Sequence, residues 1–376
     1  MNDREEIRKS RLESPLPEAE KPIDAGHQPS RFLLSSILPN RRRLALFAVR
    51  YGLFVALGLW IVIMSFASEH FLTLLNFFNV ARQAAPVIVI AVGMTFVIST
   101  AGIDLSVGSV VALTSVLAAG FLKAELSIFV TIPLVLMIGA VCGAVNGFFV
   151  HIGLPAFVVT LASLTYLRGI AFVYSNGYAS PIKSEAFNWL GRGWFGGIPV
   201  PVIIAAIVSF IGWMILTQTR FGVHTLSIGG REEAARAMGI NVRRIKILVY
   251  SATGLLAALS GVVLSARLSN GSPNAGIMLE LDVIASTVLG GTSLFGGVAT
   301  ISGTIVGALF INVIRNSLNL MGINPFWVQV VTGAILLVAI LVNTVANRWV
   351  EEWARTSEQA DQEVELYPND ETGGGQ

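Results

Sequence analysis

The sequence predicts an all-α polytopic membrane protein of about ten transmembrane helices, and three observations carry that prediction. First, 54% of the 376 residues are hydrophobic and only 13% charged, with a mean hydropathy of +0.71. Soluble domains are about a quarter charged. Second, the 48 charged residues are unevenly spread: 16 lie in Met1–Leu44, ten in Asn347–Gln376, and only 22 in the 302 residues between. Eight of those 22 crowd into Arg220–Lys246. A soluble globule must cover its whole surface with polar groups, so charge-free tracts of this length exclude that class. Third, the apolar tracts recur at lengths that fit a bilayer, about 20 residues to cross about 30 Å.

In chain order, residues 1–44 form a polar, proline-bearing arm with no apolar period, read as disordered and cytoplasmic. Arg41, Arg42 and Arg43 precede an apolar run over roughly 45–66. Its Ser65-Phe66-Ala67 end resembles a signal-cleavage site, but a signal's apolar core is about 7–15 residues and this run is longer, so it reads as an uncleaved span. Further apolar segments fall near 80–99, 104–122, 126–150, 156–175, 198–218, 246–268, 281–296, 298–319 and 326–346. The segment at 281–296 is short and holds Gly290, Gly291 and Gly296, which suits either a short span or a re-entrant one. Small residues such as Gly139, Ala140, Gly143 and Ala144, and Gly303, Gly307 and Ala308, predict close helix packing.

Basic residues orient the chain. Arg41–Arg43 place the amino terminus in the cytoplasm, and Arg220–Lys246, with six basic and two acidic residues, places a second loop there six spans later. Four more spans return the acidic tail, 347–376, to the cytoplasm, so both termini are expected on that side and the membrane-spanning body occupies 45–346. The aromatic loop at 176–197, with Phe187, Trp189 and Trp194, then faces outside.

Several chemistries drop out. Cys142 is the only cysteine, and His27, His70, His151 and His224 have no metal-ligand spacing, so neither a disulfide nor a metal centre is expected. A net charge of +2 is too mild to imply nucleic acid. None of the five lysines follows a glycine, so no phosphate-binding G-x-x-x-x-G-K-[ST] loop exists and ATP is not bound by this chain. No nucleophile, base and orienter stand in a catalytic spacing, so no enzyme activity is expected.

The most informative stretch runs from Ser227 to Asn241. Glu232 and Glu233 suit the first turn of a helix, Ala234, Ala235 and Ala237 favour its interior, and Gly239 suits its end. Ala234, Ala237 and Met238 share one small apolar face, fit either for a groove in a soluble partner or for an ordinary solvated loop. Glu233-Ala234-Ala235, three residues and then Gly239 resembles the E-A-A-x-x-x-G signature of ABC importer permeases. Gly93-Met94-Thr95-Phe96-Val97-Ile98, Gly102-Ile103-Asp104-Leu105-Ser106-Val107-Gly108-Ser109, and Leu281-Asp282-Val283-Ile284-Ala285 leading to Val288-Leu289-Gly290-Gly291-Thr292-Ser293 accompany it in order. Together these blocks resemble the ribose/xylose/arabinose-type permeases of bacterial sugar ABC importers, from about Phe71 to Asn343. The resemblance implies an inner-membrane permease working with a second permease copy, a cytoplasmic ATP-binding subunit and an extracytoplasmic sugar-binding protein. It further implies that Arg231, Glu232, Glu233, Ala234, Ala235, Met238, Gly239 and Asn241 couple the permease to the ATPase.

Within the spans, Asp104 stands out because an intramembrane carboxylate costs about 2.5–3.5 kcal/mol on insertion scales. It suits either a helix cap or the translocation path. Asn146, Asn312, Asn316 and Gln329 are path candidates, since amides can exchange hydrogen bonds with sugar hydroxyls, but they equally suit interhelical bonds. Arg168 and Arg315 are expected to snorkel to headgroups, and Tyr250, Phe326 and Trp327 to anchor at the interface. A second Gly-x-x-Leu-x-x-Gly at Gly291–Gly297 echoes Gly102–Gly108, as an internal duplication would. An ion-coupled secondary transporter is the alternative function, but it needs intramembrane ionisable groups, and Asp104 is the main candidate.

Overall fold

The computed structural model describes residues 38–324 and scattered positions between 326 and 341. The polar arm before residue 38 and the acidic tail lie outside the described residues. The chain divides between Phe47 and Ala48, and all that follows concerns the unit that begins at Ala48.

The described residues are almost wholly helical. In order they form α1 (Leu38–Ala67), α2 (Leu74–Ser99), α3 (Val107–Lys123), α4 (Ile128–His151), α5 (Ala156–Ser175), β1 (Ser180–Pro181), α6 (Glu185–Arg192), β2 (Trp194–Phe195) and β3 (Ile198–Pro199). There follow α7 (Val200–Gln218), α8 (Arg220–Gly230), α9 (Glu232–Ala237), α10 (Val242–Leu268), β4 (Asn270–Gly271), α11 (Leu279–Leu289) and α12 (Ile301–Leu320). Among the described residues, six helices are long and apolar enough to cross a membrane: α2, α4, α5, α7, α10 and α12. Gly52–Ala67 of α1 and all of α3 are shorter apolar helices. The strands are two-residue antiparallel pairs, β1 with β4 and β2 with β3, that only clip loops together.

The centre of the bundle is α2. Every residue from Ala84 to Ser99 is buried, as expected of a largely apolar segment with no solvent or lipid face, whereas Leu74, Leu75 and Phe77 at the start of the helix are exposed. Pro86 within it supplies no amide, and its carbonyl accepts a hydrogen bond from Ser260 Oγ of α10 at 3.0 Å. The most extensive helix contact joins α4 and α10. Gly139 and Gly143 of α4 meet main-chain atoms of Gly254 and Tyr250, so a β-carbon on either glycine has no room. The small residues expected to promote tight packing therefore do so, because helices in lipid associate by close approach and not by hydrophobic drive. Gly303 and Gly307 of α12 meet Gly290 and Ser286 in the same manner.

Two helices start deep inside the bundle. Before α3 the chain turns through Thr100–Ser106, and before α11 it runs without helix from Ser272 to Met278. The two starts meet where Gly276 abuts Gly108 and Val111. The short segment expected at 281–296 thus resolves into an eleven-residue helix, α11, and a glycine-bearing loop. Each Gly-x-x-Leu-x-x-Gly stretch lies where one helix gives way to the next, α2 to α3 and α11 to α12, and the two connections meet where Gly297 N donates to Ser99 O.

Candidate functional site

The α8–α9 turn is built as its sequence requires. Arg231 is extended (φ −160°, ψ 100°), and its carbonyl accepts from Ala235 N at 3.0 Å, which opens α9. The helix closes through Gly239 N to Arg236 O and Ile240 N to Ala235 O, and Gly239 takes φ +81°, the left-handed conformation a helix stop needs. Asn241 Oδ1 then accepts from Arg244 N at 3.0 Å and caps α10. Glu232 ties the turn together, with Oε1 2.7 Å from Arg236 and Oε2 2.7 Å from Lys246 of α10. Ala235 is fully buried beneath the helix, whereas Glu233, Ala234, Ala237 and Met238 are exposed, Met238 at 70%. The turn therefore presents an apolar face that no described residue covers.

Burial opposes ionisation of Glu232, but hydrogen bonds from Lys246 and Arg236 outweigh it and hold its carboxyl below the usual carboxylate range. A depressed folded pKa means the stabilisation is complete at neutral pH and is lost as pH falls through the folded value. Amide exchange over 232–240, corrected for its intrinsic rate, is therefore expected to quicken as pH drops into and below the carboxylate range. Glu232→Gln should lose that pH step, and wild-type protection that ignores pH would refute the clamp.

Just before α9, three stretches of main chain meet. Gly229 of α8 lies against the Ser99 carbonyl at the end of α2, and that same carbonyl accepts from Gly297 N at 3.1 Å. Gly296 lies against Gly229 and the Ala101 amide. The end of α8 thus touches the end of α2 and the loop between α11 and α12 through main chain, and that loop in turn touches Ala101 on the way to Asp104.

Asp104 is 1% exposed. Its Oδ1 accepts from Ser106 N at 2.9 Å and Ser106 Oγ at 2.6 Å, so it closes the turn ahead of α3. Its Oδ2 has no protein partner. A chain of hydrogen bonds leads to it from two other helices: Ser163 Oγ donates to Asn146 Oδ1, and Asn146 Nδ2 donates to Ser106 Oγ. Tyr250 is fully buried in the bundle with its hydroxyl on Ile103 O, so it is not an interface anchor. Its hydroxyl end fills the space left by Gly102, and its β-carbon lies against Gly147, which sequence spacing does not reveal.

The other predicted polar residues separate into distinct roles. Asn316 exchanges paired hydrogen bonds with Asn76 of α2 at 2.9 and 3.1 Å. Asn312 Nδ2 donates to Ala308 O of its own helix, and Gln329 is exposed. Neither Arg168 nor Arg315 snorkels. Arg168 donates to the carbonyls of Pro273, Ala275 and Gly276 in the non-helical stretch, at 3.0, 2.7 and 3.3 Å. Arg315 grips both oxygens of Asp282 at 2.8 Å. In each case a partner inside the bundle outcompetes the headgroups. Opposite charges on two adjacent apolar segments, Asp282 and Arg315, were the available signal for that pair. Asn76 and Ser163 gave none.

A multi-pass helical bundle with interrupted crossings and an uncovered helical turn at one end is the architecture of a membrane transport protein. Residues 76–340 match the family model described as branched-chain amino acid transport system / permease component. The chain is 43% identical over 304 residues to the ribose import permease protein RbsC of Haemophilus influenzae, covering 79% of this chain and 94% of that one. It is 44% identical over 299 residues to RbsC of Bacillus subtilis, covering 78% and 92%. It is 36% identical over 294 residues to the L-arabinose transport system permease protein AraH of Escherichia coli, covering 78% and 89%. No solved structure matches it significantly. The chain belongs to this family of transport-system permease components.

Proposed function

We propose that the chain is the membrane-spanning subunit of an ATP-binding-cassette importer that carries a monosaccharide, a pentose or a related sugar, across a bacterial inner membrane by alternating access. The observation that carries this is the α8–α9 turn, an ordered E-A-A-x-x-x-G helix that projects uncovered Ala234, Ala237 and Met238. Similarity to sugar permeases over more than three quarters of the chain supports the cargo class.

In this reading the crossings are α1, α2, α3, α4, α5, α7, α10, the short segment 281–296 that α11 opens, α12, and the apolar segment 326–346, ten in all. Both termini and the α8–α9 turn are cytoplasmic, and α6 is on the outer face. A separate subunit binds and hydrolyses ATP, and its groove receives the turn from Arg231 to Asn241. A sugar-binding protein delivers cargo from outside, and a second permease copy, identical or closely related, completes the path. The clamp of Glu232 on Lys246 ties movement of α9 to α10, and the Gly229 contact passes it to the loops around Ser99 and Gly297. Asp104, with one oxygen unpartnered, and exposed Gln329 remain candidates for the path. Asn146, Asn312 and Asn316 join it only if their present bonds open.

The test is uptake of labelled ribose and arabinose by proteoliposomes holding the permease, with and without its ATPase, binding protein and cytoplasmic-side ATP. Uptake that requires all three is expected. Met238→Asp, a change at an exposed position, should lower it at least several-fold while leaving insertion intact. Uptake by the permease alone, driven by an ion gradient, would refute the reading in favour of a secondary transporter.

A further inference from the structure

Helix α5 presents a surface unlike those of its neighbours. The exposed side chains in the middle of α4 are Met137, Val141 and Val145, and those of α7 are Ile207, Phe210, Ile211, Trp213 and Met214. Apart from the Trp213 indole, both faces are apolar and suit hydrocarbon. At the same depth α5 exposes Thr165, Tyr166 and Gly169 between the apolar Leu161 and Ile170. The helix is 20 residues, about 30 Å, so Tyr166 stands about 15 Å from either end. Tyrosine belongs in the headgroup region, where its hydroxyl finds water. Near the midpoint of α5 the phenol is exposed at 44%, and its hydroxyl meets Ser163 Oγ of the same helix at a long 3.4 Å, which leaves it open to a further partner.

An independent feature adjoins this face. Main chain that is not helical is tolerated at membrane depth only where protein covers it or where it lines a water-filled cavity. The stretch from Ser272 to Met278 is not helical, and its depth is fixed by the contact of Gly276 with Gly108 and Val111. Yet Asn274, Ile277 and Met278 within it are exposed. Arg168, one turn from Thr165 on α5, holds this stretch in place through three of its carbonyls. The hydroxyl-bearing part of α5 therefore adjoins a non-helical stretch that exposes the polar Asn274 beside the apolar Ile277 and Met278.

We propose that Thr165, Tyr166 and Gly169 of α5, together with Asn274 and the non-helical stretch around it, form the wall of the water-filled path along which a polyhydroxylated solute passes. The inference rests on the sugar-permease reading for its cargo, but not for its wetness. Thr165 and Tyr166 offer hydroxyls and Asn274 an amide, groups that exchange hydrogen bonds with sugar hydroxyls in succession. Gly169 leaves that part of the wall open, since a β-carbon there meets nothing within 4 Å. Arg168 is a positioning residue: it fixes the main chain of the wall and does not itself face the solute.

The experiment is cysteine accessibility in full-length permease in permeabilised membranes, in a Cys142→Ser background. Thr165→Cys, Gly169→Cys and Asn274→Cys report on the wall, and Val141→Cys and Phe210→Cys on the lipid faces. A charged, lipid-insoluble methanethiosulfonate is expected to modify the first three at least tenfold faster than the last two, and a lipid-soluble maleimide should narrow that difference without reversing it, because the thiolate that reacts forms poorly in lipid. Wall positions that react only with the maleimide, or with neither reagent, would overturn the proposal, placing this face in lipid or under protein. The three wall variants are independent, so misfolding of one leaves the others to decide. A wet wall without sugar uptake would count against the cargo reading alone. Sugar uptake with an unreactive wall would count against this inference alone.

Discussion

Arg315→Ala is expected to destabilise the folded permease by about 3–5 kcal/mol, the usual cost of removing one partner of a buried ion pair. The Asp282 side chain is only 6% exposed, and Arg315 Nη2 lies 2.8 Å from each of its carboxylate oxygens. Without the guanidinium, that carboxylate sits uncompensated against α12, in the eleven-residue helix α11. Removing both charges is different. Asp282→Leu combined with Arg315→Leu should recover most of the loss, because a paired apolar replacement removes the desolvation cost with the attraction. Thermal unfolding in detergent, read by fluorescence-detected size exclusion, measures both. A single variant as stable as wild type, or a double variant no better than the single, would contradict this account.

The second large effect is expected from Gly143→Val. The added β-carbon would strike the carbonyl of Tyr250, a main-chain atom that no rotamer change can move aside. The helices must then separate along the α4–α10 seam, which also holds Gly139, Gly147 and Gly254. Overpacking of this kind costs about 1–3 kcal/mol and sometimes more, and here it also displaces Asn146 and Tyr250 from the Asp104 loop. Gly52→Val serves as the control, because a β-carbon there meets nothing. Equal yields of monodisperse protein from both variants would show that the seam has slack.

Much of this architecture was legible in the sequence because lipid imposes a simple code. The positions of α4, α5, α7, α10 and α12 follow from apolar length alone, and the α8–α9 turn from its acidic start, alanine interior and glycine stop. Partnership inside the bundle was not legible. Arg168 and Arg315 look like headgroup ligands on a linear chain, since each stands within reach of a segment end, and only the fold brings carbonyls or a carboxylate to them. Tyr250 failed for a related reason. Its helix begins at Val242, earlier than hydropathy suggests, because Arg243, Arg244 and Lys246 disguise its first turns. The stretch before α11 was invisible because Pro273 and Gly276 read as an ordinary loop, while three hydrogen bonds from Arg168 keep it inside the bundle.

The contact of Gly229 with Ser99 also bears on how such a protein can change over generations. A joint made of side chains can be retuned by one methyl group at a time. A joint made of main chain offers no such gradation, since even alanine at 229 meets the Ser99 carbonyl. The adjacent Gly230 points into open space and can accept many residues. A saturation library across this region should therefore show intolerance at one glycine and permissiveness at the next, and divergence in cargo must be written into surfaces such as the wall of α5, where substitution is graded.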